Sequence, residues 1–449
     1  MNHRKIRLLL WYAAMGLCFA VVIGCRRSGE AGRAAEETAP SWTLALAAPI
    51  DHLDVVAREP MIAEHPDGTL FVGGFGAPRM GQQQTNEPTL WKSRDGGTTW
   101  TRVDVGTEED GAVGNSDVDL AVSSDGTLYF VNLLYDEKNQ EGRQVNIGVS
   151  KDAGATWKWT RLSDTRFDDR PWVKVAPDGT AHVIWNDGAG VCYAVSWDGG
   201  LTWTERNRIH PRGGSSHLAV GPDGELAARV MPYSASGNKY DEGVDFIAVS
   251  ADGGLTWRKH EAPGTREWSS SEPSELPRWV EPLAWDARGA LYSFWTNMSG
   301  IWLARSTDRG ATWASWHLAG DSDTAFYPYL IARGDGQLAV TWFLHRGQAE
   351  TLRAHVARID LEEGDAPPRM AESRPFELDC YWPSRSPDDP PVRGTGGEYL
   401  AALFLKKGGL VFVSPIQNMR DKRFGFSMWR VEEHRGDHRR QNSRPEKKP

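Results

Sequence analysis

The stretch Ser93-Arg94-Asp95-Gly96-Gly97-Thr98-Thr99-Trp100 decides the fold, because its pattern, S-x-D-x-G-x-T-W, returns four more times along the 449 residues. The later copies run from Ser150 to Trp157, Ser196 to Trp203, Ser250 to Trp257 and Ser306 to Trp313, and their serines lie 57, 46, 54 and 56 residues apart. In each copy the Asp (Asp95, Asp152, Asp198, Asp252, Asp308) is placed to accept hydrogen bonds from nearby backbone N–H groups and from the Ser hydroxyl. The glycines permit positive φ, and the Trp gains a fixed place to pack. A strand-bearing repeat of roughly 40 to 60 residues is the mark of blades set around an axis.

Ahead of each box stands a second signal: an apolar stretch, a D-G turn and an alternating strand. It occurs at residues 61–75 (MIAEHPDGTLFVGGF), 120–132, 173–185, 218–230, 283–295 and 330–342, and a degenerate unit follows at 376–432. Alternation flanking D-G turns predicts β-hairpins. Each unit therefore reads strand a, turn, strand b, loop, strand c, box, strand d. The expectation is an all-β propeller of four-stranded antiparallel blades, seven by repeat count. Six is the alternative, because residues 362–375 interrupt the pattern. Residues 41–47 (SWTLALA) read as a strand d that closes the ring with the C-terminal strands. Strands that alternate in direction put the boxes and the a–b turns on one face. The starts of strand a and the longer b–c loops, 76–88, 133–144 and 231–243, fall on the other, which is where a ligand is expected.

The N-terminus reads as an export signal over residues 1–24, with Arg4, Lys5 and Arg7 ahead of an apolar run from Leu8 to Ile23. The segment Val22-Ile23-Gly24-Cys25 resembles a bacterial lipobox, which implies lipidation of Cys25 and a place at the outer membrane or cell surface; an uncleaved anchor is the alternative. Residues 25–40 then form a polar tether, 41–432 the propeller and 433–449 a charged, disordered tail. The net charge of −9 argues against nucleic acid as a partner. Beyond the signal and the lipobox only Cys192 and Cys380 remain, in distant units, and no metal-ligand spacing or cofactor motif is present. A monomer is expected.

Aligning the units on their turns sets one position per blade at the start of strand a, facing the axis. The ring so obtained is Arg58/Glu59, Asp117/Asp119, Asp169/Arg170, Ser215/His217, Glu281, Tyr327/Tyr329 and Tyr381/Trp382. Paired carboxylates, arginines and aromatic faces are what a saccharide site uses. The same groups can instead form ion pairs that close the channel.

The five boxes resemble the Asp box, or BNR repeat, of the sialidase superfamily. The resemblance extends to Arg58-Glu59-Pro60, similar to that family's R-I-P segment with its substrate-carboxylate-binding Arg. Glu281-Pro282 resembles the segment of its catalytic Glu, and Tyr327-Pro328-Tyr329-Leu330 that of its nucleophilic Tyr. A phenol needs such a base, since its pKa near 10 makes it a poor nucleophile at neutral pH. The sequence departs from the family where the acid/base Asp is due, because residues 76–92 hold no Asp, only Glu87. It also lacks two arginines at their usual places, for which Arg79, Arg170 and Arg278 are the substitutes at hand. Two readings follow. In one, the axial face binds a glycan or other extracellular polymer without turnover. In the other, the protein is an exo-acting glycoside hydrolase with Tyr327 as nucleophile, Glu281 as its base, Asp117 or Asp169 as acid/base, and Arg58, Glu59, Arg170, Arg79 and Tyr329 as ligand contacts.

Overall fold

The computed structural model describes residues 42–76, 85–205, 208–231, 233–234, 239–240, 243–265, 267–268, 281–296, 300–319, 324–345, 352–364, 366–382 and 392–435. Its strands form a seven-bladed propeller of four-stranded antiparallel blades, six of them hydrogen-bonded in chain order a-b-c-d from the axis outward; the seventh takes its outer strand from the N-terminal end of the described chain and carries extra strands. The inner strands are Arg58–Glu64, Ser116–Val122, Asp168–Val175, Gly214–Val220, Leu283–Trp285, Thr324–Arg333 and Ala402–Phe404. No α-helix occurs among the described residues, only the 3₁₀ turn Glu108–Asp110.

Burial follows from stacking blades face to face. The middle strands Leu70–Phe75, Val191–Ser196, Leu226–Met231 and Leu291–Thr296 are buried at every position, because a neighbouring blade covers each side. Their sequences are correspondingly mostly apolar on both faces, with the buried Arg229 as the charged exception. The outer strands, such as Ala314–Ala319, keep exposed positions at the rim.

The seventh blade combines both ends of the chain. Trp42–Leu46 pairs antiparallel with Arg423–Arg435, Trp42 opposite Arg435, and Ile50–Leu53 continues along the same strand as far as Gly425. The expected closing strand is thus in place, and the blade count is seven. Cys380 lies in this sheet and Cys192 in the third blade; both are buried and free, so they form no disulfide.

All five boxes adopt one geometry. The Ser hydroxyl donates to the Asp carboxylate at 2.7–2.8 Å, and the Thr hydroxyl donates to its second oxygen at 2.6 Å. The Thr N–H completes the turn at 2.8–2.9 Å. The glycine four residues after each Ser (Gly97, Gly154, Gly200, Gly254, Gly310) has φ between 77° and 91°. Each is seated on the preceding blade: a Cβ at Gly97 would meet Met428, at Gly200 Val149, and at Gly254 the Tyr193 ring. The Trp of the box packs the same way, Trp100 on Phe426, Trp203 on Tyr129 and Trp257 on Tyr193. The box is therefore a clamp between neighbouring blades.

Candidate functional site

On the opposite face the inner strands begin with a shared distortion. Glu59, Arg170 and Tyr327 have φ of +44°, +50° and +50°, and a proline follows each one. The strand register slips at each of these points, between Arg58 and Met61, Asp169 and Trp172, and Phe326 and Tyr329. A residue before proline is normally driven to extended φ, so these are three strained bulges, costing about 1–3 kcal/mol each. They turn a glutamate, an arginine and a tyrosine toward the axis.

The result is a cluster of four carboxyl groups, two guanidiniums and two phenols drawn from five blades. Arg170 Nη1 lies 2.6 Å from Glu398 Oε2, and its Nε lies 3.5 Å from Asp169 Oδ2. The Tyr399 hydroxyl donates to Glu59 Oε2 at 2.9 Å. Asp169 and Asp117 share a hydrogen bond, and Arg58 and Arg170 both act on Asp117. Arg58 is held by the faces of Phe75 and Trp382, 5.3 and 5.8 Å from the ring centres. The side chains of Asp169 (21% exposed), Glu398 (19%) and Arg170 (12%) reach solvent; Glu59 beneath them is buried.

Burial sets the protonation of this cluster. It pushes Glu59 up to about 8, aided by the Asp117 and Glu398 carboxylates. It pushes Asp169 up to about 7 against the pull of Arg170, with Asp117 and Glu398 adding to the rise. Asp117 is raised for the same first reason. Burial thus favours the protonated forms of Glu59, Asp117 and Asp169.

One layer deeper, aromatics close the axis. His217 stacks on Trp172 at 4.2 Å and meets Tyr329 and Tyr399 edge-on at 5.7 and 6.2 Å. Burial, then Lys174 and Arg170, hold His217 well below its ordinary pKa, so it is neutral. Asp119 accepts hydrogen bonds from Lys174 Nζ at 2.7 Å and from the Val173 N–H at 3.0 Å. These residues are the floor of the site. Ser215 is also committed to structure, its N–H donating to Asn186 Oδ1 at 2.9 Å.

The arrangement brings together Arg58, Glu59, Asp117, Asp169, Arg170 and Tyr327. It does not give Tyr327 the base expected for it. Glu281 is 1% exposed and its carboxylate lies 2.7 Å from Arg229 Nη2. That guanidinium also donates from Nε to Asp245 at 2.8 Å and from Nη1 to Ser293 at 3.1 Å. A buried carboxylate spent on an ion pair is a poor proton acceptor, so the expected Tyr327–Glu281 pair is corrected. The groups acting on Tyr327 are Glu398, Arg170 and Glu59, and burial raises its pKa above the ordinary 10, which holds it as a neutral phenol.

The seventh position of the ring is likewise corrected, from Tyr381/Trp382 to Glu398/Tyr399. Cys380–Trp382 instead pairs in parallel with the end of Leu410–Asn418. A signal for the right residues was present. Glu59, Asp117, Arg170, Ser215 and Tyr327 each stand nine residues before the turn glycine (Gly68, Gly126, Gly179, Gly224, Gly336), and Tyr399 stands nine before Gly408. The seventh turn reads K-K-G-G instead of D-G, which hides the register. Arg79, Arg278 and Cys25 lie outside the described residues.

Beside the cluster, on the same face, a cleft of about 520 Å³ runs over the second blade between Asn86, Asn115, Tyr135, Asp136, Arg143 and Asp164. Asn115 stands two residues before Asp117, so cleft and cluster are continuous in the chain.

No family model and no curated protein matches the chain. Among solved structures, a protein from Dyadobacter fermentans is similar at 13% identity and a TM-score of 0.49, over 87% of this chain and 99% of that one. An α-L-arabinofuranosidase from Fusarium graminearum is similar at 11% identity and a TM-score of 0.46, over 86% and 98%. A Trypanosoma rangeli sialidase is similar at 14% identity and a TM-score of 0.41, over 68% and 58%.

Proposed function

We propose that the axial face is a saccharide-binding site on an exported, lipid-anchored propeller. One observation carries this reading: four carboxyl groups, with burial pushing Glu59 and Asp169 up, stand beside Arg58 and Arg170 at a solvent-reached axial mouth. Such a set both donates to and accepts from sugar hydroxyls, with the polar cleft over the second blade to take further units.

The Asp117–Asp169 pair favours a second reading, glycoside hydrolysis. A carboxyl that keeps its proton to about pH 7, next to carboxylates held by guanidiniums, is the division into acid and base that the reaction uses. In this version Asp169 is the proton donor, Glu398 the facing carboxylate, and Tyr327 a hydrogen-bond donor instead of a nucleophile. The sialidase-like site is then only partial, with Arg58 and Arg170 as its anion binders.

Calorimetric titration with neutral and acidic oligosaccharides tests the first reading; an aryl-glycoside panel that includes the sialic acid compound tests the second. Binding that weakens at least tenfold in Arg170→Ala supports the site, and absence of binding to any saccharide removes it. Turnover that survives Tyr327→Phe and is lost in Asp169→Asn supports the hydrolase. The reverse pattern restores the tyrosine nucleophile.

A further inference from the structure

We infer that the long hairpin of the second blade is an accessory subsite for neutral sugar units, so that the protein reads the length of a saccharide chain as well as the unit seated at the axial mouth. The inference rests on the reading of that mouth as a saccharide site, and it adds which residues meet the remaining units and what charge those units carry.

The hairpin outgrows its blade. Its strands Leu128–Asp136 and Glu141–Ser150 are nine and ten residues long, against seven and six for Ala181–Asp187 and Val191–Ser196 in the third blade. The inner strand begins with Ser116 opposite Leu133, so the residues from Leu134 to Asp136 carry the hairpin about 10 Å beyond it on the axial face. Its tip is closed by its own side chains. Asp136 accepts from the N–H groups of Lys138 and Asn139 at 2.9 and 3.1 Å and from the Asn139 amide at 2.6 Å. Gln140 takes a φ of +54°, and its amide donates to the Glu137 carbonyl at 2.6 Å.

Both flanks of the cleft beside this hairpin lead into the mouth. On one, Asn115 accepts the Tyr135 N–H at 2.7 Å and donates to the Tyr135 carbonyl and to Asn86 Oδ1, both at 3.2 Å. Two residues later the chain reaches Asp117. On the other flank Glu141 holds Arg166 at 2.6 Å and Arg143 at 2.7 Å, and the Phe167 N–H donates to the Gly142 carbonyl at 2.8 Å. A Cβ at Gly142 would strike the Asp168 carbonyl oxygen, so this strap is backbone against backbone. Asp169 and Arg170 follow directly. A ligand rooted at the mouth therefore has a fixed wall to run along, and a wall already ordered saves the entropy of ordering it on binding.

The lining decides what kind of unit fits. Its charged groups are Lys138 and Arg143 against Asp136, Glu137 and Asp164. Arg143 and Arg166 share Glu141, and Arg161 holds Asp164 at 3.1 Å. With these partners counted, four charges of each sign cancel. Glu87, next to Asn86, and the turn Glu108–Asp110 that precedes Asn115 are exposed and outside the lining, and they add only negative charge. No positive field is left over to hold an acidic sugar. Among the described residues Glu137, Lys138 and Gln144 make no hydrogen bond or ion pair through their side chains. A carboxylate, an ammonium and an amide in one cleft offer donors and acceptors together, which suits the hydroxyls of a neutral sugar. At about 520 Å³ the cleft has the size of a ligand site, about 300–1,000 Å³.

The test titrates the full chain calorimetrically with neutral oligosaccharides of glucose, xylose, mannose and arabinose, each of two and of five units, and with a uronic-acid pair of the same lengths. A neutral five-unit ligand is expected to bind about tenfold tighter than its two-unit counterpart, the equivalent of one or two net hydrogen bonds. Lys138→Ala combined with Gln144→Ala, and separately Gln144→Trp, which fills the cleft, should each bring the five-unit affinity down to that of the two-unit ligand while the melting temperature holds. Equal affinity at the two lengths, a length gain that survives both variants, or a gain confined to the uronic pair each overturns the inference and leaves the saccharide reading standing. Absence of binding in every series removes both.

Discussion

The two faces of the propeller treat the same side chain in opposite ways. On the box face Asp152 and Asp308 are exposed, yet hydrogen bonds from Thr and Ser hydroxyls and from backbone N–H groups pull both down to about 2. On the axial face Asp169 has guanidinium neighbours and still rises to about 7, because burial outweighs them. Donors supplied by a turn fix a charge and with it a shape. Carboxyls crowded into a half-buried mouth hold a proton more tightly, and that proton can be given away. The first is architecture, and the second has the makings of chemistry.

The largest expected break in this contrast comes from the proton itself. Asp169→Asn is expected to lower any glycosidase turnover by about 10²–10⁴-fold. Its melting temperature at pH 7 should hold or rise, since a carboxyl that resists ionisation costs the fold nothing when replaced by an amide; calorimetry beside the rate assay checks both.

Next comes the third way in which this chain keeps a carboxylate, by burying it with a partner. Arg229→Met leaves Asp245 and Glu281 without their guanidinium and is expected to cost about 3–5 kcal/mol in urea unfolding. Adding Asp245→Asn and Glu281→Gln should recover most of that loss. A cost that persists in the triple variant would point to lost packing instead of stranded charge.

A smaller effect lies in the pH dependence of stability, where the two faces have opposite signs. Glu59 binds its proton more tightly folded, at about 8, than at its ordinary 4.5. Stability from this group is therefore full below 4.5, declines as pH rises toward 8, and levels off above it. Glu59→Gln should flatten that decline, which is on the order of a few kcal/mol, in denaturant titrations at pH 5 and pH 8. Box aspartates act the other way: their stabilisation is present above 3.8 and is lost as pH falls through about 2.

The smallest effect belongs to a single box. Asp308→Asn should lower the melting temperature at pH 7 by several degrees and leave saccharide binding unchanged. A change in binding would show that the clamp shapes the axial mouth.

How much of this was legible in the sequence depends on how local the cause is. The box is a closed hydrogen-bonded unit of eight residues, so its pattern survives intact and counts the blades. The ring from Arg58 to Tyr327 was legible because position in a strand follows from distance to a turn, and five of its members stand nine residues before a glycine. Glu398 was missed because its turn had lost the D-G signature. The fate of Glu281 was not legible at all. Arg229, which claims it, lies 52 residues earlier in a different blade, and no short-range pattern links the two. The acidity of Asp169 is equally non-local, being set by how many blades exclude water from it.

The seventh blade also imposes an order in time. Trp42–Leu46 is among the first parts of the propeller to be synthesised, and its partner Arg423–Arg435 is the last. Until the final residues arrive, the chain is an open arc with two raw sheet edges, and neither can be satisfied by anything made earlier. A chain of this design has to keep its first strand idle while the rest is made and fasten it only at the end. Loss of either Trp42–Leu46 or Arg423–Arg435 is then an injury to both, because each strand is the latch for the other.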